Sequence, residues 1–141
     1  MELSELYDYA DLRKIDIDMF PMKSVKAVSV PLSDRCAIAV DDRKMRDEAE
    51  LKTTLAHEIG HCETRTFYTA PTYLELRSRY EYRADKWAVK KLIPQTELES
   101  ALRCGENELW QLAEHFGVEE ELVEKALYIY FDITPSRTAA L

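Results

Sequence analysis

The hydrophobic and polar positions of this chain follow a helical period over most of its length. Apolar residues recur at steps of three and four, which places them on one face of a helix. Behind an acidic first turn that begins near residue 47, Leu51, Leu55 and Ile59 form such a stripe. We predict helices over residues 2–13, 47–67, 72–93, 96–105, 106–115 and 119–131.

Two short runs follow a different period. Residues 25–30 alternate apolar and polar side chains, and residues 35–40 form a second β-prone run. Residues 33–34, a serine and an aspartate, favour a turn between them. Residues 16–21 carry two aspartates and a proline that break the pattern, and we assign no strand to them. The pattern therefore predicts an α+β fold that is mostly helical, with a small β-sheet beside the helices.

The helix boundaries and the chain length predict one domain. Pro94 stops the second long helix, and Thr72 is placed to cap its start. Thr96 and Glu99 match a capping box at the start of the next segment. A chain of 141 residues fits a single domain. We expect this domain to span 1–131, with the C-terminal helices within 96–131 packed on it and a flexible tail over 132–141.

The last two predicted helices resemble a helix-turn-helix in their spacing. A DNA-reading version needs basic residues on its second helix, where this chain has one basic residue, Lys125, among four glutamates at 119, 120, 121 and 124. The net charge of −8 also repels a nucleic-acid backbone. We therefore predict a packing unit and no direct nucleic-acid partner.

The sequence also indicates in which compartment of the cell the protein is expected. No apolar run approaches the length of a transmembrane helix, and the acidic N-terminus does not match a signal peptide. We expect no membrane association and a cytoplasmic location. Cys36, Cys62 and Cys104 are odd in number and unrelated in spacing, so we predict small buried thiols in a reducing compartment and no disulfide.

Candidate chemistry is concentrated at an H-E-x-x-H motif. His57 and His61 are four residues apart, so on a helix they lie on the same face and can reach one metal ion. Glu58 is adjacent and is placed to act on a metal-bound water without being a ligand. Cys62 projects about 100° away from His61 around the helix, so we do not expect it to bind the ion. A chance motif on a surface helix is the competing interpretation, and a third ligand would decide between them.

The third ligand is predicted from the next helix. A catalytic zinc usually keeps three protein ligands and an open position for water. Glu81 and Asp85 are four residues apart on a helix that follows the motif helix after a short connection, so the two helices should be antiparallel neighbours. Glu81 can then bind the metal while Asp85 accepts the far N–H of a ligand histidine. Glu75 competes but has no carboxylate four residues later, and His115 sits in an ordinary amphipathic helix.

These motifs resemble those of a known family. Residues 55–61 read LAHEIGH, and residues 81–94 read EYRADKWAVKKLIP. The pair is similar to the "laHElgH" and "ExxAdxfAxxLLmP" helices of the ImmA/IrrE family, a gluzincin-like group, and residues 112–118 resemble its "LAxxFxV" segment. The resemblance covers roughly residues 47–131. Trp87 and two lysines depart from the family pattern without touching the metal set.

The resemblance implies a zincin-like fold and a cytosolic zinc peptidase. Such enzymes are often encoded on phages and other mobile elements, and they cut a helix-turn-helix transcriptional repressor. Carried over by position, His57, His61 and Glu81 would hold one Zn²⁺ per chain, and Glu58 would be the general base. The repressor would be the substrate and partner, while the oligomeric state is left open.

Two other functions compete with peptidase activity. A metal-containing anti-repressor would bind and displace its repressor without proteolysis, and it would tolerate loss of Glu58. A structural zinc domain would need four protein ligands and no Glu58. The donor to a reaction oxyanion also stays open at this point, among five candidates: Tyr68, Tyr73, Tyr80, Tyr82 and His115.

Overall fold

The computed structural model describes residues 1–135 of the chain. Its helices are α1 (Leu3–Leu12), α2 (Glu48–Thr64), α3 (Leu74–Leu92), α4 (Gln95–Arg103), α5 (Leu109–Phe116) and α6 (Glu120–Phe131). Its strands are β1 (Ile15–Met19), β2 (Ala27–Pro31) and β3 (Cys36–Val40), followed by a short 3-10 turn at Asp42–Lys44. The predicted α+β, mostly helical fold is confirmed. The predicted tail over 132–141 lies largely outside the described residues, and the division into domain and tail stays a prediction.

The three strands form one sheet in the order β1-β3-β2. β1 runs parallel to β3, with Ile17 opposite Ile38, and β2 runs antiparallel to β3, with Val28 opposite Ala39. The β2–β3 turn lies where it was predicted, closed by a hydrogen bond from the Leu32 amide to the Arg35 carbonyl. Among residues 1–135, β2 is paired on one side only and so forms an edge of the sheet.

Strand β1 was missed by the sequence analysis. Its aspartates were interpreted as interruptions, but Asp16 and Asp18 alternate with Ile15 and Ile17, which is the period of a half-buried strand. Ile15 is buried in the core, while Asp16 points outward and receives two hydrogen bonds from Arg35 at 2.8 and 2.9 Å. The charges therefore occupy the solvent-facing positions of the strand.

Several helix boundaries differ from prediction, among them the start of α5, which lies at Leu109 and not at 106. Asp47 caps α2 by accepting a hydrogen bond from the Glu50 amide at 2.9 Å, as its position before the acidic turn favours. α2 stops at Thr64, three residues early, because Arg65 takes a left-handed conformation with φ 55°. The predicted caps Thr72 and Thr96 are wrong. Other residues, a tyrosine and a proline, occupy the N-cap positions of α3 and α4.

α2 lies at the centre of the fold. It packs against helices α3 and α1 and against strands β2 and β3. Its buried residues include Leu55, Ala56 and Ile59, which join a core that also contains Leu6, Ile38, Val40, Val89, Leu92, Leu98, Leu112 and Val123. Because the motif helix is held on several sides, the positions of its histidines are determined by the core of the molecule.

Buried polar contacts attach α2 to the C-terminal helices. Lys52 is 5% exposed, and its ammonium group donates to the Phe116 carbonyl at 2.7 Å and to the Met1 carbonyl at 2.9 Å. A cation at this end of α5 also complements the helix dipole. The Glu119 amide donates to the Thr53 hydroxyl at 3.1 Å, and α6 packs on α3. α5 and α6 therefore contact the pair of helices, α2 and α3, that carries the candidate site residues.

The prediction for the cysteines was wrong. Cys36 of β3 and Cys62 of α2 form a disulfide, and Cys104 is an exposed free thiol. The two bonded cysteines are 26 residues apart, a spacing that carries no signal, and they meet only because β3 packs on α2. Structural disulfides are rare in reducing compartments, so this bond does not support the cytoplasmic prediction. No helix within residues 1–135 has the length and apolar character needed to span a bilayer.

Candidate metal centre

Three side chains from two helices converge at one point. His57 and His61 lie one turn apart on α2, and their Nε2 atoms are 3.1 Å from each other. Glu81 reaches them from α3, with Oε2 2.9 Å from His57 Nε2 and Oε1 3.2 Å from His61 Nε2. This trio is the group of candidate metal ligands found among the described residues.

The spacing of these atoms fits a metal ion. Donors at about 2.0–2.1 Å from a tetrahedral zinc lie about 3.3 Å from one another. The two Nε2 atoms are 3.1 Å apart, and each faces a different oxygen of Glu81, at 2.9 and 3.2 Å. One ligand atom from each residue lies within 4.8 Å of the other two, so small movements of the side chains would allow all three to hold an ion. Two imidazoles and one carboxylate also form a donor set typical of catalytic zinc, which leaves one position open.

Hydrogen bonds on the far side of each ring orient the histidines. His57 Nδ1 lies 2.7 Å from Asp85 Oδ1, and His61 Nδ1 lies 2.7 Å from the Thr66 carbonyl oxygen. A carbonyl can only accept, so His61 carries its proton on Nδ1 and offers the Nε2 lone pair to the ion. A carboxylate fixes the tautomer of His57 in the same way. Lys125 of α6 lies 3.0 Å from the other oxygen of Asp85 and extends this chain of contacts.

The two helices are antiparallel, as predicted. His57 faces Asp85 and His61 faces Glu81, so the contacts run in opposite directions along α2 and α3. Gly60 allows the close approach: a Cβ at this position would lie 2.6 Å from the Ala84 carbonyl oxygen. The glycine of the motif therefore brings the third ligand within reach of the histidines.

The carboxylates give the site a strong preference for a cation. Burial opposes the charged form of His57, but hydrogen bonds to Asp85 and Glu81 raise its pKa to about 10. The close contacts of Glu81 with His57 and His61 hold the pKa of this carboxyl well below its usual range. Burial would raise the pKa of Asp85, but His57 and Lys125 outweigh burial and lower it. A metal ion must displace the proton on His57, so acidification should weaken metal binding.

Comparison with known families decides the relationship. Residues 13–128 match the model of the IrrE N-terminal-like domain, Peptidase_M78. The chain belongs to this family. The resemblance to the ImmA/IrrE family is thereby confirmed, and membership supports a metallopeptidase-type function for the Peptidase_M78 chain. No curated protein and no solved structure matches the chain significantly.

The cleft of this Peptidase_M78 chain lies between the edge strand β2 and the motif helix. It encloses about 270 Å³ and is lined by Val28 and Ser29 of the strand together with Glu58, His61 and Glu81. Glu58 is 9% exposed and faces the same space as two of the candidate ligands. The cleft thus brings Glu58 together with His61 and Glu81, while His57 contacts Glu81 from beside it.

The competing ligands lie elsewhere. Glu75 is 80% exposed and pairs with Arg79 at 2.9 Å, whereas His115 pairs with Glu106 at 2.9 Å. Neither belongs to the group around His57. Of the two carboxylates, Glu81 therefore faces the motif helix and Glu75 faces solvent.

Of the five candidate oxyanion donors, Tyr68 lines the cleft. Its hydroxyl donates to Glu81 Oε1 at 2.6 Å, and the Arg77 guanidinium lies 5.0 Å from the centre of its ring. The hydrogen bond to Glu81 raises the pKa of Tyr68, so the phenol keeps its proton at neutral pH. Tyr73, Tyr80, Tyr82 and His115 are not among the residues that line the cleft.

Three contacts of the site have no signal in the sequence and were not predicted. The Thr66 carbonyl reaches His61 because Arg65 turns the chain back in a left-handed conformation, for which a non-glycine residue gives no signal. Tyr68 on Glu81 and Lys125 on Asp85 join segments distant in sequence. Pairwise contacts of this kind carry no local pattern.

Proposed function

We propose that the chain is a zinc-dependent endopeptidase. The observation that carries this proposal is the convergence of His57, His61 and Glu81, two of which line one cleft with Glu58, in a member of the Peptidase_M78 family. A structural zinc site would have a fourth protein ligand and no use for Glu58. The geometry instead has three ligand side chains and an adjacent carboxylate, which is the arrangement of a hydrolytic centre.

The roles of the side chains follow from their contacts. When bound, zinc lowers the pKa of a coordinated water to about 7 and polarises the scissile carbonyl. Glu58 takes a proton from the attacking water and returns it to the leaving amine. Asp85 holds His57 in the tautomer that leaves Nε2 free for the ion. We assign Tyr68 as the hydrogen-bond donor to the developing oxyanion, since its hydroxyl already lies beside Glu81.

The shape of the cleft favours an extended peptide as substrate. Strand β2 forms one wall, and its outer edge is unpaired in the described part of the chain. An extended segment can add to such an edge through main-chain hydrogen bonds, which would place its backbone beside Glu58. A substrate that binds in this way needs a locally unfolded, extended stretch of polypeptide, which supports a protein as the substrate.

The finer identity of the substrate comes from the family resemblance. We propose a helix-turn-helix transcriptional repressor of a phage or mobile element, cut in the cytoplasm. The net charge of −8 supports a partner of this kind, because a DNA-binding protein is basic and complementary charge favours encounter.

The decisive experiment compares wild type with Glu58→Gln on a purified helix-turn-helix repressor from the same genome. We expect wild type to cut the repressor, and Glu58→Gln to keep its fold and one zinc but lose cleavage. Electrophoresis and mass spectrometry of the products measure cleavage. Equal cleavage by both proteins would remove Glu58 as the base. Release of the repressor from DNA by both proteins, without any cut, would favour the anti-repressor that acts by displacement.

A further inference from the structure

A second cavity opens beside the metal centre, between α3 and α6. It encloses about 780 Å³, a size typical of sites that accept drug-sized ligands or several side chains. Its walls carry the apolar side chains of Leu74, Tyr82, Tyr128, Ile129 and Ile133. We call this cavity, defined by these five residues, the apolar groove.

The apolar groove exposes large hydrophobic groups to solvent. Leu74 is 77% exposed, Tyr128 51% and Ile133 48%. Single exposed hydrophobic residues are ordinary, but here residues from two helices and the segment after α6 surround one space. A concave apolar surface with few polar groups is the usual form of a binding site.

The groove borders the cleft. Tyr68, Arg77 and Glu81 line both spaces, so the carboxylate that faces the histidines also borders the apolar groove. Arg77 packs over the ring of Tyr68 at this border. Because the two spaces share these side chains, a peptide held along β2 in the cleft would lie beside the groove.

We propose that the apolar groove is the specificity site of the peptidase and binds large apolar side chains on one side of the scissile bond. This inference rests on the proposed function and names the substrate class of the same site. The five apolar residues supply the contact surface, while Asp85 and Lys125 neutralise each other at the border of the groove. The lining also carries the charges of Arg77, Glu81 and Glu124. A charged substrate side chain that packs against the five apolar residues would still lose its hydration without gaining a partner, so the site selects leucine-like residues.

Binding can be measured without catalysis, using zinc-loaded ¹⁵N-labelled Glu58→Gln protein. The probes are N-acetyl-Leu-Leu-amide and N-acetyl-Ala-Ala-amide, followed by shifts of backbone amides in NMR spectra. We expect saturable shifts at Ser78, Tyr128 and Ile133 with the leucine probe. Binding of the alanine probe should be at least about tenfold weaker, because it buries less apolar surface.

Two matched variants test the location. Ser78 lines the groove, whereas its neighbour Arg79 does not and is exposed. Ser78→Trp fills the groove and should abolish the shifts, while Arg79→Trp should leave them unchanged. Equal binding of both probes, shifts elsewhere on the surface, or binding that survives Ser78→Trp would each overturn the proposal. Zinc content and repressor cleavage are measured separately, so a failure of the proposed function is distinguishable from a failure of the groove.

Discussion

Replacing Gly60 by alanine tests how the third ligand is positioned. The added Cβ would lie 2.6 Å from the Ala84 carbonyl oxygen and 3.1 Å from its Cα, where ordinary contacts begin at 3.4 Å. The deficit is 3.4 − 2.6 = 0.8 Å. Both opposing atoms belong to the backbone, so no side-chain rotation can relieve the clash. α3 must move away from α2, and Glu81 moves with it.

The magnitude follows from two opposing contributions. Overpacking a core costs about 1–3 kcal/mol, and a backbone clash belongs at the upper end. Alanine regains about 1 kcal/mol over glycine in a helix. We therefore expect Gly60→Ala to lower the free energy of unfolding of the zinc-free protein by about 2 kcal/mol. Since metal sites tolerate about 0.2 Å in ligand distance, zinc affinity should fall at least about tenfold.

The assay has two parts and a control. Urea unfolding of the zinc-free protein measures stability, and competition with a chromophoric chelator measures zinc affinity. Lys90→Ala, on an exposed position of α3, should change neither quantity by much. A Gly60→Ala protein that unfolds and binds zinc like wild type would refute the claim that this close approach places Glu81.

Three further predictions concern the surroundings of the site. Asp85→Ala should weaken zinc binding about 10–100-fold in chelator competition, because His57 loses its orienting partner; unchanged affinity would contradict this. Glu50, whose pKa is lowered to about 2 by Lys26 and then Arg46, contributes stability that is present above its ordinary pKa of 4.5 and is lost as the pH falls toward 2. Glu50→Gln should therefore be less stable than wild type at pH 6 in urea titrations, with a gap that closes on acidification; a constant gap would contradict the assignment. Reduction of the Cys36–Cys62 bond should cost about 3.5 kcal/mol from a loop of 26 residues, and a doubly serine-substituted protein should not respond to the reductant.

The elements that could be predicted from the sequence are those with a local period. The motif helix has an acidic first turn, a capping aspartate and an apolar stripe, so its existence follows from residues near one another. β1 also has a local period, but this period was overlooked. Its aspartates were taken as breaks, although their alternation with Ile15 and Ile17 carried the strand signal. The strand was missed because the charges of the aspartates were given more weight than the alternation of apolar and polar positions.

The candidate site could be predicted from the sequence because its residues lie on two consecutive helices. A four-residue spacing on each helix and a short connection were enough to predict that Glu81 and Asp85 face the motif helix. Which histidine each carboxylate contacts, Asp85 with His57 and Glu81 with His61, is seen only in the structure. Contacts that depend on tertiary packing had no such signal. The Cys36–Cys62 bond requires β3 to lie on α2, and Lys125 reaches Asp85 from 40 residues (125 − 85) further along the chain.

The central claim is a metal site of three ligands, and zinc content tests it most directly. Wild type, Glu81→Ala and Glu75→Ala would be dialysed and measured by elemental analysis. We predict one zinc per chain in wild type and in Glu75→Ala, since Glu75 pairs with Arg79 at the surface, and little or none in Glu81→Ala. Wild type without metal after zinc is supplied, or full zinc retention by Glu81→Ala, would contradict the account.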